Sequence, residues 1–387
     1  MSRLTFAGLE TRPGQVWGQV RLVPLVREAP VQGLRMHPGG LEDLGLPADG
    51  CWYTPHGLTA EWTGDGSGVP EFGTAMRMAA STVRGSRRPK AKPRFGDRRT
   101  RVRFVPRRGA LETYLPLAFR APVIAWPEWS SRAFRHSLLP QPDRTYSGAL
   151  VDGLADALRV FEIHPGQCGV LVYVADALSG VLVTPHPDDY RWLHPTLVED
   201  SYGELIWRYS MLYVAVPEFE ARIDESRVDS LADLRAQARA VQREWAAFHD
   251  GTLAAGLLDP EYHFTETYAM ADFRLVRYRP EFASVGEAHV GEAILDAQGR
   301  PAFLQSFRLS ETHVRRARLL EALSNNEWRL DETAEALGLS APALVALLHN
   351  SDLDWMLRRD INQELHSHSK GGQGATPCRR TEMHDRG

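Results

Sequence analysis

From Cys168 to Val174 the chain reads CGVLVYV, and after the turn residues Ala175 to Gly180 it returns as VLVT, Val181 to Thr184. Short apolar runs of this kind, rich in β-branched residues and bounded by turn formers, suit a hairpin buried on both faces. Pro185-His186-Pro187-Asp188-Asp189 follows. A proline in a first helical turn gives up no needed amide donor, and carboxylates there complement the helix dipole. A helix is therefore expected to begin at this point, and the rest of the chain is read outward from the strand pair and its helix.

Upstream, Gln15 to Arg27 (QVWGQVRLVPLVR) is β-rich, and Pro24 argues for a sheet edge or a bulge because it cannot donate to a ladder. Cys51-Trp52-Tyr53 and Leu58 to Trp62 make a second β-rich island around His56, which is read as a turn residue. Between Arg84 and Arg108 twelve arginines and lysines stand against one acid, Asp97. Prolines and few apolar residues there suit a solvated, flexible loop better than a phosphate-contact segment. Thr113 to Ile124 reads as core, with helices expected at Pro127 to Leu138 and Ser147 to Val160.

Downstream, Leu231, Leu234, Ala238, Val241, Trp245 and Phe248 fall at helical spacing, so Ser230 to Phe248 reads as an amphipathic helix. Strands are expected at Phe273 to Tyr278, Ala288 to Leu295 and Ala302 to Leu309. The last two are joined through Asp296 to Arg300, a hairpin turn. The fold class that follows is α+β, with a mixed-sheet domain over 1–309, a small three-helix helix-turn-helix module over 310–365 and a disordered tail over 366–387.

The helix-turn-helix reading rests on Ala334, Gly338, Leu337, Leu339, Leu344 and Leu347, with Asp331 and Ser340 as N-caps and Pro342 in the third helix's first turn. Base readout needs Arg, Lys, Asn or Gln on the recognition helix. Here Ala341, Ala343, Val345 and Ala346 occupy it, so the module is read as degenerate and suited to docking a protein partner. DNA is the alternative, with Arg315, Arg316, Arg318, Ser340, Arg358 and Arg359 as its contacts.

Composition narrows the classes. The 387 residues are 43% hydrophobic, enough for more than one core. Net charge is −4, from 45 basic and 49 acidic residues, which gives no global pull toward nucleic acid or membrane. Three cysteines, no apolar run long enough to cross a bilayer and no leader in MSRLTFAGLE lead to the expectation of a soluble, cytoplasmic protein.

Chemistry, if any, is expected in the central block. His164, Gln167, His186, Asp188, Asp189 and His194 are the candidate ligand-binding residues, with Asp200 and Glu204 the one acid pair at helical spacing. There is no HExxH, CxxC or GxSxG, and no Walker loop or GxGxxG opening a helix after a strand. No catalytic residue, metal or cofactor is assigned on these grounds. Cys168, at the start of a buried strand, reads as a small apolar group.

Three landmarks carry a resemblance: FEIH with QCGVLV and VADALSGVLVTPHPDDY from Phe161, PVIAWPEWSSRAFR from Pro122, and GEAILDAQGRPAFLQSFRLSETHVRR from Gly291. Together they resemble the ADP-ribosylglycohydrolase and rhodanese-phosphatase-superfamily-associated protein domain, the second of its two types, from actinobacteria. The resemblance implies an accessory protein associated with NAD and ADP-ribose metabolism, binding a small nucleotide-type ligand such as ADP-ribose or a protein partner, with no established catalytic residues. Two other functions are weighed against it. One is a ligand-sensing transcription regulator acting through the helix-turn-helix, and the other a hydrolase of ADP-ribose-type phosphates.

Overall fold

A computed structural model describes residues 2–17, 19–38, 51–53, 58–62, 161–174, 177–196, 222–282 and 288–363. The expected core at 113–124, the helices at 127–138 and 147–160, the basic stretch 84–108, His56, Asp200, Glu204 and the tail from 366 lie outside these residues. Chain contacts divide the protein into two compact units, and the boundary near the C-terminus falls between Arg318 and Leu319.

Among the described residues, the first unit is organised on a ten-stranded sheet. Its strands are β1 (Ser2–Arg3), β2 (Glu10–Thr11), β3 (Gln15–Trp17), β4 (Val20–Val26), β8 (Gln167–Val174), β9 (Ala177–Val183), β10 (Glu261–Met270), β11 (Phe273–Pro280), β12 (His289–Leu295) and β13 (Pro301–Arg308). Their order is β1-β10-β11-β12-β13-β9-β8-β4-β2, with β3 also paired to β4. A separate three-stranded sheet holds β5 (Leu34–Pro38), β7 (Leu58–Trp62) and β6 (Cys51–Tyr53) in that order.

Every pairing among the described strands is antiparallel, which corrects the expected mixed sheet. The expectation failed for a physical reason. Burial on both faces is the habit of parallel strands under crossover helices, but here an antiparallel sheet is covered on both sides. Val170, Val172, Leu182, Ile294 and Phe303 face one core, and Leu171, Tyr173, Val181, Val183, Ala293 and Leu304 face the other. Each such side chain contributes about 1.5–3 kcal/mol of burial, so the β8–β9 hairpin is stabilised twice over. The return strand begins at Ala177 rather than Val181, and the hairpin register shifts at Val172/Tyr173.

Pro24 sits inside a central strand, between β8 and the β2/β3 pair. Its carbonyl accepts from Arg12 N at 3.0 Å, so its amide side faces β2 and β3. Those two strands cover Leu25–Val26 and Val20–Leu22 respectively, leaving position 24 at the gap between them. The missing donor therefore leaves only the return bond to Arg12 unmade.

Among the described residues before 310, the helices that accompany the sheet in the first unit are α1 (Pro187–Thr196), α2 (Leu231–Phe248) and the short α3 (Ala255–Leu258). Ser230 caps α2 by accepting from Asp233 N at 3.2 Å. Trp245 of α2 is buried in the second core, whereas Leu231 and Leu234 at its other end are exposed, so the apolar stripe is covered only toward its C-terminus.

The expected three-helix module is also corrected. α4 (Glu311–Asn325) belongs to the first unit as far as Arg318. α5 (Leu330–Ala336) and α6 (Ala341–Asn350) pack on each other, while α4 makes only sparse contact with either. α5 starts with Arg329 at the N-cap position, where its side chain makes no capping bond, and Asp331 lies in its first turn instead of capping it. Ser340 does cap α6. The buried positions of α6 are Leu344, Val345 and Leu348; Leu347 and Ala346 are exposed, so the inward face is rotated from the one the spacing suggested.

Gly291 of β12 marks the tightest crossing in the sheet. A Cβ there would lie 1.9 Å from the Gln305 carbonyl oxygen and 2.4 Å from the Tyr278 hydroxyl, which crosses over the glycine to donate to that carbonyl. Neither neighbour can yield without breaking the β11–β12–β13 ladder. Gly291→Ala is expected to lower stability by about 3 kcal/mol, read as a shift in the urea midpoint; an unchanged midpoint would show that the ladder yields freely.

Candidate functional site

The six central candidates do assemble in one neighbourhood, at the start of β8 and the first turns of α1. The 163–167 turn is held by local bonds: His164 N donates to Gln167 Oε1 at 3.2 Å, and Gly166 N donates to His164 Nδ1 at 3.1 Å. Gln167 Nε2 donates to Gly169 O at 3.2 Å, and its side chain also bonds the Tyr190 hydroxyl. Arg191 ties the turn to α1, donating to Pro165 O at 2.8 Å while its other nitrogen pairs with Asp188 at 3.1 Å.

The N-terminus of α1 uses its acids as the sequence suggested, but for different partners. Asp188 N donates to His186 Nδ1 at 3.1 Å, an intra-turn bond. Asp189 is 2% exposed, which is costly for a carboxylate unless it is fully bonded. It is: Arg35 donates to Oδ1 through Nε and Nη2 at 2.8 and 2.6 Å, and Met36 N donates to Oδ2 at 2.9 Å. Asp189 thereby fastens β5 of the small sheet to α1.

His194 lies one turn further on, 3% exposed. The Tyr190 hydroxyl and the His194 Nδ1 lie 2.7 Å apart, and Nε2 of the ring has no hydrogen-bond partner among the described residues. Burial holds His194 down at about 4 and pushes the Tyr190 phenol well up. The chain Gln167–Tyr190–His194 is thus a neutral, buried network between β8 and α1. A neutral imidazole reached only through a buried phenol orients and packs; a general base needs contact with a reacting atom.

A second histidine network was missed by the sequence reading. His249, fully buried at the end of α2, bonds the Tyr173 hydroxyl through Nε2 at 2.8 Å and Asp250 Oδ1 through Nδ1 at 2.7 Å. It opens a π-helical turn, His249–Leu253, and its ring lies 5.9 Å from that of Trp245. The adjacent His-Asp pair was visible in the sequence, but Tyr173 is 76 positions away and no motif links them. Tyr173 is 1% exposed inside the second core, so this Tyr-His-Asp chain satisfies buried polar groups in a packed setting.

Among the described residues no group of three histidines, cysteines or acids could hold a metal ion. Cys168 is free and buried, its thiol pushed up to about 11 by burial, which suits the apolar role read from the sequence.

The candidate DNA contacts differ in exposure and in what they bond. Arg316 is buried, Arg318 Nε donates to Phe282 O at 2.9 Å, Arg358 pairs with Asp360, and Ser340 is used as a helix cap. Arg315 and Arg359 remain exposed.

Residues 4–271 match the family model ARPP-2. That match overturns the resemblance read from the sequence, because nothing in it indicates an ADP-ribosylglycohydrolase or rhodanese-associated family. No curated protein and no solved structure matches the chain.

The His194 environment has a pH signature. Its folded value lies below the ordinary 6.5, so the unfolded chain takes up the proton first as pH falls, and stability present above about 6.5 is lost between there and about 4. The loss attributable to this residue is roughly 3 kcal/mol. His194→Gln should flatten that part of the stability–pH curve; an unaltered slope would place the ring in contact with water.

Proposed function

The chain belongs to the ARPP-2 family, and from that premise we propose that it is an accessory binding protein, holding a small ligand or a protein partner without turning it over. The observation that carries this reading is the commitment of the central polar groups. Asp189 has its three donors, Gln167 bridges a turn to Tyr190, and His194 is kept neutral by burial. A hydrolase would require at least one of them to face a reacting atom. The hydrolase reading is therefore the weaker of the two.

The link to NAD and ADP-ribose came through the overturned resemblance, so these molecules enter as probes of a nucleotide-type ligand. A partner-docking role draws support from α6, whose exposed positions Ala343, Ala346 and Leu347 present no charge. DNA readout would need donors there. No helix among the described residues is long and apolar enough to cross a membrane, and a cytoplasmic location is part of the proposal.

Thermal melting with ADP-ribose, with NAD and with a random DNA duplex, run beside an assay for free phosphate and AMP, tests the reading. Saturation at a hundredfold excess over Kd is worth about 2.7 kcal/mol, a rise of about 5 °C for a domain of this size. A rise with a nucleotide and no product is the expected result. Turnover of ADP-ribose, or a rise with duplex DNA alone, would overturn it.

A further inference from the structure

The outer face of α2 carries a row at four-residue spacing, Leu231, Arg235, Arg239 and Arg243, and all four are exposed. Residues four apart stand over one another on a helix, ~6 Å along its axis. None of the three guanidinium groups makes a hydrogen bond or an ion pair with a described residue. The acids of the helix do not supply one. Asp233 is held at the N-cap, with the Ser230 hydroxyl donating to its Oδ2 at 2.6 Å, and Glu244 adjoins Arg243 in the chain and therefore points to another face. Like charges at this spacing weaken a helix, a cost that an acidic partner removes.

α5 presents the complement. Asp331 and Glu335 are exposed, four residues apart, and neither side chain makes a hydrogen bond or an ion pair with a described residue. Between Glu327 and Asp354 the sequence holds six acids against one arginine, Arg329, which already pairs with Glu327 and Glu332. At the end of α5, where Gly338 turns the chain with φ +67°, Leu337 and Leu339 are 41% and 37% exposed. Leu231 and Leu234 at the start of α2 are 63% and 39% exposed. Set antiparallel, the two rows match in register: Leu231 meets Leu337 and Leu339, Arg235 meets Glu335, and Arg239 meets Asp331.

We propose that the protein associates with a second copy of itself through α2 of one copy and α5 of the other, in that antiparallel register. Both rows are open to solvent and one chain carries both halves of the match, so a second copy is the partner whose chemistry is on hand. Guanidinium groups suit carboxylates because their planar donors pair with both oxygens. Exposed ion pairs contribute little by themselves, so they fix the register while burial of the leucines supplies the attraction, and the association is weak and salt-sensitive. The inference uses α5 and its turn rather than the outer face of α6, and it stands whether or not a nucleotide binds.

Sedimentation velocity of the full chain, from low to high micromolar concentration at low salt and at about 1 M sodium chloride, reads the association. A sedimentation coefficient that rises with concentration at low salt, and rises less at high salt, is expected. Arg235→Glu and Glu335→Arg should each weaken the association about fivefold or more, and Arg235→Glu combined with Arg239→Glu should abolish it. Mixing Arg235→Glu chains with Glu335→Arg chains should restore it, because every contact between the two kinds of chain then joins opposite charges. Should a reversal not fold, Leu231→Ser, which removes only exposed apolar surface, weakens the association in its place. A chain that stays monomeric throughout, an association that these substitutions leave unchanged, or a mixture that fails to restore it overturns the proposal.

Discussion

Burial of one antiparallel hairpin on both faces is the constraint from which the remainder of the first unit follows. β8 and β9 show no exposed residue among those described, so water is not on hand for any polar atom at their margins. Each such atom must find a protein partner or carry the full desolvation cost. Thr184 Oγ1 accordingly donates to Cys168 O at 2.8 Å, the Tyr173 hydroxyl goes to His249, and the Ser306 hydroxyl accepts from Val181 N at 3.1 Å. The side chains that look chemical in the sequence are largely those that this demand recruits.

The same logic separates anchoring from chemistry. Asp189 can be buried because Arg35 and the Met36 amide meet it, and in return it fixes the small sheet against α1. Removal of one partner from such a pair leaves a stranded charge, which costs far more than the pair contributes in net stability. Arg27 is the contrasting case, a buried cation held by the Pro301 and Ala302 carbonyls, and Gln305, 1% exposed, has neither carboxamide atom bonded among the described residues.

Much of the local structure could be read from the residues. The CGVLVYV strand, the acid-rich start of α1 at Pro187, the Ser340 cap, and the strands on either side of Asp296–Arg300 all lie where spacing and turn chemistry placed them. Strand direction could not be read, because double-sided burial leaves the same apolar run in a parallel or an antiparallel sheet. The inward face of α6 was misjudged since Leu344 and Leu347 are compatible with helical period, whereas packing on α5 selects Leu344, Val345 and Leu348. At the site, the proximity of His164 to Gln167 and of Asp188 to His186 was local and legible. The partners that define their roles were not: Arg35 lies 154 positions from Asp189, and Pro301 lies 274 from Arg27.

If double-sided burial is what holds the fold, the β8–β9 hairpin should be the last element to open. Native-state hydrogen exchange of the Val170, Val172, Val181 and Leu182 amides measures this directly. The account predicts that these amides exchange only through global unfolding, with denaturant dependence equal to that of the whole unit. Exchange by a local opening well below the global free energy, with β10 and β11 still protected, would contradict it.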